Sequence, residues 1–133
     1  AINLILILLQ QNMNKDLMIQ LVNNERQKVG VRELEWDSRL EKVAQLQSNF
    51  MASCNTCTHA SKSGDLGTRI EAQGYSWSSC AENVAGGYEN EAKVIQGWLK
   101  SQGHKANMLN PKYTHFGAGF SNGFWAQVFG SEL

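Results

Sequence analysis

Three side chains in this sequence carry the chemistry of a metal site or of a polar reaction centre: His59, Glu82 and His104. Glu82 follows His59 by 23 residues and precedes His104 by 22, so no single helix or strand holds all three. Only the fold can bring them together. Two neutral imidazoles and a carboxylate are three ligands for a divalent transition metal, zinc being the natural fit, with a position left for water. In a second arrangement the carboxylate accepts a hydrogen bond from one imidazole and orients it. A plainer reading is three unrelated polar residues, one on a loop and two at helix ends. Ser101 stands three residues before His104, within one helical turn, so Ser101, His104 and Glu82 also spell a hydrolytic triad. No Gly-x-Ser-x-Gly turn presents Ser101 as a nucleophile, and composition alone makes such triads common.

Cysteine chemistry comes next, from Cys54, Cys57 and Cys80. Cys54-x-x-Cys57 has the spacing of half a zinc site or of a redox pair, but no second such pair follows and no βαβ unit surrounds it. An extracellular disulfide with one thiol left over fits better. Cys57 lies two residues before His59, and Cys80 two before Glu82. If His59 and Glu82 face each other, Cys57–Cys80 is favoured over Cys54–Cys80. Closing that loop contributes roughly 3 kcal/mol in the chain-entropy picture.

These residues need elements to position them. A chain of 133 residues, 42% hydrophobic and 18% charged with one proline, has the makeup of one compact domain. Twelve basic and twelve acidic side chains cancel, which removes the electrostatic case for nucleic acid or an anionic membrane. Apolar residues at Leu17, Leu21, Val22 and Val29 predict a helix over 16–29 that stops at Gly30. Asp37 caps a second helix to about Ala52, with Leu40, Val43, Ala44, Leu46 and Phe50 inward. A polar loop over 53–67 carries His59, and a short helix over 65–72 ends at Gly74. Glu82 and Val84 alternate with Ala81 and Asn83, which reads as a strand over 80–85. Asn90 caps a helix over 91–101 that packs Val94, Ile95 and Trp98, and one helical turn follows His104 and stops before Pro111. Residues 116–121 and 124–129 form a hairpin about Asn122-Gly123, a type I′ turn. Aromatic side chains such as Tyr75, Tyr88, Phe116, Phe120, Phe124 and Trp125 fill the core or line a groove; Trp77, in a Ser-rich loop, is expected outside.

Residues 2–9 are apolar except for Asn3. Eight residues are too few to cross a bilayer, which takes about twenty, so no transmembrane segment is read here. The run fits the end of a secretory signal's apolar region, although no small-x-small cleavage site follows. It is treated as an extension, residues 1–12, ahead of a domain over 13–133. So apolar a run needs a partner surface, on its own domain or on another chain.

In its motifs and their order, the chain resembles the CAP superfamily of cysteine-rich secretory proteins, venom antigens and plant pathogenesis-related class 1 proteins. Short, cysteine-poor members are the most similar. The motifs are Asn23-Asn24-Glu25-Arg26, Leu34-Glu35-Trp36-Asp37 with Leu40, His59, Ala81-Glu82-Asn83-Val84-Ala85, Trp98, Gly103-His104 and Gly117-Ala118-Gly119, spread over about residues 14–130. The resemblance implies an α+β fold, a three-layer α-β-α sandwich around a small central antiparallel sheet. It implies a cavity where His59, Glu82 and His104 bind zinc weakly, lined also by Ser101 and Asn83. It implies a secreted, non-enzymatic protein with a sterol or fatty-acid ligand, or a role in host interaction or defence. An assembly role through residues 2–9 and hydrolysis by Ser101, His104 and Glu82 are the alternatives. The chain departs from the family at Ala81 (for Gly), at Ser101 (for a second glutamate) and at Lys105-Ala106-Asn107 (for Tyr-Thr-Gln). Losing one carboxylate weakens any role that needs both.

Overall fold

Short polar side chains set the helix starts. In a computed structural model describing residues 12–133, Asn14 accepts from Leu17 N–H to begin α1 (Lys15–Lys28), and Asp37 accepts from Arg39 N–H to begin α2 (Ser38–Cys54). Asp65 does the same for α3 (Leu66–Ala72), and Asn90 for α4 (Glu91–Leu99). The fifth helix, α5 (Gln102–Leu109), starts at Ser101 without a side-chain cap and carries His104 inside its first turn rather than ahead of it. The apolar run at 2–9, and the partner surface expected for it, lie outside the described residues.

Four strands complete the described elements: β1 (Glu35–Trp36), β2 (Trp77–Gly86), β3 (His115–Ser121) and β4 (Phe124–Glu132). Their order is β1-β3-β4-β2, so β2 is an edge strand. β2, β3 and β4 pair antiparallel, whereas β1 runs parallel to β3. The sheet is therefore mixed. Leu34-Glu35-Trp36 does more than lead into a helix, because Glu35 N–H donates to Thr114 O and starts the extra pairing. The hairpin turn is as expected: Asn122 (φ 46°) and Gly123 (φ 91°) are both left-handed, the pattern of a type I′ turn.

The two sheet faces bury separate cores, which makes the three-layer sandwich. Met18 and Val22 of α1, Trp98 of α4 and Met108 of α5 pack on Phe116 and Phe129. On the other face, Leu40, Val43 and Met51 of α2 and Ile70 of α3 pack on Val84 and Val128. The buried stripe of α1 is Met18, Val22 and Arg26, at four-residue steps, while Leu17 and Val29 are exposed. Leu46, expected inward, is 46% exposed. Trp77, expected outside, is half-buried: it lies on Gly67, where a Cβ would come within 2.5 Å of the ring, and donates to Gly67 O at 3.1 Å.

Two contacts fix how the layers meet. A Cβ on Gly117 would sit 2.1 Å from Glu41 N, and one on Gly119 2.6 Å from Gln45 Cα. Only bare backbone lets α2 lie this close on β3. On the other face, Arg26 is fully buried and donates to Arg32 O, Met108 O, Asn110 O and Tyr113 O at 2.7–3.1 Å. Asn23 bonds both backbone groups of Leu34. Together they tie α1 to the start of β1 and to the segment between α5 and β3.

Candidate functional site

Glu82 stands in the middle of the edge strand β2 and is buried. Arg69, on α3, grips it with both ends of the guanidinium, at 3.0 Å to Oε2 and 3.3 Å to Oε1. His59 Nδ1 shares Oε1 at 2.9 Å. Arg69 also donates to Gly64 O at 3.2 Å and to His59 O at 3.4 Å, which pins the loop bearing His59. The paired-fork geometry is that of a strong, oriented ion pair. Its outer member is His59, whose side chain is 59% exposed.

His104 comes from the opposite side of β2. Asn83 follows Glu82 and so points the other way. It is fully buried, donates to His104 O and to Gln127 Oε1 at 3.1 Å each, and accepts from Asn107 Nδ2 at 2.9 Å. This network clamps the first turn of α5 against the sheet. Burial, and secondarily the charge of His59, holds the His104 imidazole below its ordinary pKa. The two histidines thus flank the free edge of β2 and sense each other across it.

The expected metal trio does not stand at single-ion spacing. Among the described residues, one group of three His, Cys, Asp or Glu side chains brings ligand atoms within 4.8 Å of one another: Asp37, His115 and Glu132. A cation already sits there, since Arg39 bridges Asp37 at 2.7 Å and Glu132 at 3.2 Å. Glu82, for its part, has both oxygens occupied by Arg69. His59, Glu82 and His104 in this arrangement do not fit a three-ligand zinc site. Nor does the triad assemble: the imidazole bonded to Glu82 is that of His59, and Ser101 serves as the N-cap residue of α5.

Beside His104 a cleft of about 420 Å³ opens, walled by Val84, Tyr88 and Trp98, with Cys57, Ser101 and His104 at its polar side. Trp98 Nε1 donates to Val84 O at 3.1 Å and locks that wall to β2. Tyr88 lies directly on Gly97, where a Cβ would be 2.4 Å from its Oη. Asn83, expected in the cavity wall, is sequestered behind it as an anchor.

Cys54, Cys57 and Cys80 are free thiols, and the expected Cys57–Cys80 bridge is not present. The reason is register. Cys57 packs at Gly86, where a Cβ would lie 3.9 Å from its own. Cys80 is six residues back along β2, about 20 Å at a strand's rise, far beyond the reach of a disulfide. Partial burial raises the pKa of both the Cys57 and the Cys80 thiols.

Arg69 and Gln127 are not among the residues that the sequence singles out, and Asn107 enters there only as a departure from the family pattern. Asn107 had a signal, because it lies one helical turn after His104 and faces the same neighbour. Arg69 offered none beyond its place in a short capped helix, and Gln127 only its place inside an apolar strand.

Taken with the fold, the site defines a class. The chain belongs to the cysteine-rich secretory protein (CAP) family, which it matches over residues 19–129. It is 36% identical to YkwD of Bacillus subtilis (strain 168) over 115 residues, covering 84% of this chain and 45% of YkwD. The chain thus spans less than half of that relative. An extracellular SCP-domain protein from Bacillus anthracis has the same architecture, with a TM-score of 0.85, 30% identity, and coverage of 89% of this chain and 40% of that one. An outer surface protein of Borrelia burgdorferi shares the fold at a TM-score of 0.82 and 24% identity, covering 89% of this chain and 92% of its own. No helix among the described residues is long and apolar enough to cross a membrane.

Proposed function

We propose that this chain is a non-enzymatic binding module of a secreted protein, and that the cleft at the free edge of β2 holds an apolar ligand such as a fatty acid or sterol. One observation carries this reading. Glu82 is committed to Arg69 and His59, so the groups left facing the cleft are an imidazole, a hydroxyl and a thiol beside apolar walls. That is the makeup of a recognition pocket, in which a few polar groups orient an apolar guest. Extracellular placement is supported by the Bacillus anthracis protein. A divalent ion at this edge has two imidazoles and water as ligands, which makes for weak and reversible binding.

The test is calorimetric titration with palmitate and with cholesterol. Ser101→Trp fills the cleft at a cap position that makes no side-chain bond, and should weaken binding at least tenfold. If neither lipid binds, or binding is unchanged in Ser101→Trp, the reading fails. Hydrolysis of a p-nitrophenyl ester that disappears in both Ser101→Ala and His104→Ala would establish the enzymatic alternative instead.

A further inference from the structure

Acidic and basic side chains cancel over the whole chain, but they are not evenly placed. Residues 92–131 hold Lys93, Lys100, Lys105 and Lys112 and no Asp or Glu at all. This stretch builds α4, α5 and the segment leading to β3, so its lysines belong to the helical layer on one side of the sheet. Burial of Val94, Ile95 and Trp98 turns Lys93 and Lys100, seven residues apart on α4, outward together. Lys105 and Lys112 are exposed as well. Glu25 of α1 and Glu89, just before α4, are already bound, by Lys28 and by Lys93. Glu91 accepts from Asn14 N–H. Lys100, Lys105 and Lys112 have no ion pair among the described residues. A neutral chain thus carries surplus positive charge on one side. Between the cations that side is apolar. Val29 is 57% exposed and, with Leu99 and Leu109, walls a shallow cleft rimmed by Lys28 and Lys105. Tyr88 and Ala92 lie in the same way between Lys93 and Lys100.

We propose that the outer face of α4 and α5 docks on a bilayer surface rich in anionic phospholipid, with Lys100, Lys105 and Lys112 among the headgroup phosphates and Val29 buried at the interface. Two features favour a bilayer over a soluble polyanion. The unpaired cations are all lysines, compact point charges that suit diffuse phosphates better than the guanidinium fork that reads a fixed carboxylate. Apolar side chains set between them gain nothing from a polyelectrolyte but are taken out of water at a membrane interface. The face borders the β2-edge cleft, because Tyr88 and Gly97 line both. Docking goes beyond the lipid-binding reading of that cleft and does not depend on it.

Co-sedimentation of the full chain with vesicles of phosphatidylglycerol and phosphatidylcholine in equal parts, at low salt, tests this. The chain should partition onto these vesicles, leave them as salt is raised, and ignore pure phosphatidylcholine. Lys100→Gln, Lys105→Gln and Lys112→Gln should each lower the partition about five-fold, and together about a hundred-fold. All three side chains are exposed, so the fold should survive, as circular dichroism would confirm. Val29→Ser should weaken the partition about five-fold and leave its salt dependence unchanged. Ser101→Trp, which fills the cleft, should partition like the parent, so failure of lipid uptake and failure of docking are read separately. Partition that survives the triple substitution, as anchoring by the apolar run at 2–9 would give, overturns the proposal. So do equal binding to both kinds of vesicle, loss of binding in Ser101→Trp, and a Val29→Ser variant that binds as well as the parent, the result expected of a site for soluble polyanions.

Discussion

Arg69 converts Glu82 from a candidate ligand into half of an ion pair. Both side chains are nearly inaccessible, at 7% and 3%, so removing one charge strands the other in a low-dielectric setting. Arg69→Met is expected to cost about 3–5 kcal/mol in urea denaturation, and the double variant Arg69→Met, Glu82→Gln to recover much of that loss. If the single and double variants are equally unstable, Arg69 acts by packing alone. The same exchange bears on metal. With Arg69 gone, Glu82 is free to join His59, so zinc affinity measured by calorimetry should rise in Arg69→Met. At the other side of β2, the lowered His104 pKa has two causes that substitution separates. In His59→Gln, an NMR titration should find the His104 pKa moved part of the way back up, because burial is the larger cause and remains. A complete return to the ordinary imidazole value would show that charge, not burial, dominates.

Elements are held apart or together by a few backbone contacts. At Gly117 a methyl group would meet the backbone of α2 at 2.1 Å, where no side-chain rotation can relieve it. Gly117→Ala is therefore expected to cost about 3 kcal/mol or more in thermal unfolding. Gly103, in α5, faces open space, and Gly103→Ala should instead stabilise by roughly 0.5–1 kcal/mol. A small effect at Gly117 would mean that α2 slides on β3 more easily than the close contact suggests. These elements were unequally legible in the sequence. Capped helices and the Asn122-Gly123 hairpin depend on neighbouring residues, and their approximate spans could be read directly. Strand β1 could not, because two residues become a strand only through a parallel partner 80 positions away, Glu35 against His115. The same holds at the site: the His59–Glu82 juxtaposition followed from motif order, while the Arg69 grip and the burial of Asn83 depend on tertiary placement. The thiol pairing failed because proximity in sequence to His59 and Glu82 says nothing about register along β2.

At the scale of the whole molecule, pH dependence gathers contributions from both ends of the sheet. His104 has a depressed pKa, so below the ordinary imidazole value the unfolded chain binds its proton more readily than the fold does. Stability from this group therefore rises with pH through the range just below about 6.5 and is flat above it. Asp37 is also depressed. Burial opposes its ionisation, but hydrogen bonds from the Arg39 side chain and backbone, the Arg39 charge and the Leu40 N–H outweigh that. Its contribution is complete above the ordinary carboxyl value of 3.8 and is lost as pH falls through the lower folded value. Both groups bias the same way, so the urea midpoint should climb as pH rises toward 3.8, climb again as it approaches 6.5, and then level off. His104→Gln should flatten the upper part of that climb and leave the lower part, whereas Asp37→Asn should do the reverse at the cost of the α2 cap's charge. The two sites lie on different helices, Asp37 capping α2 and His104 within α5, and share no hydrogen-bond partner, so the double variant should show the sum of both changes. A midpoint that falls between pH 5 and 7 would contradict the sign derived for His104, and a non-additive double variant would show that the two sides of the sandwich are coupled.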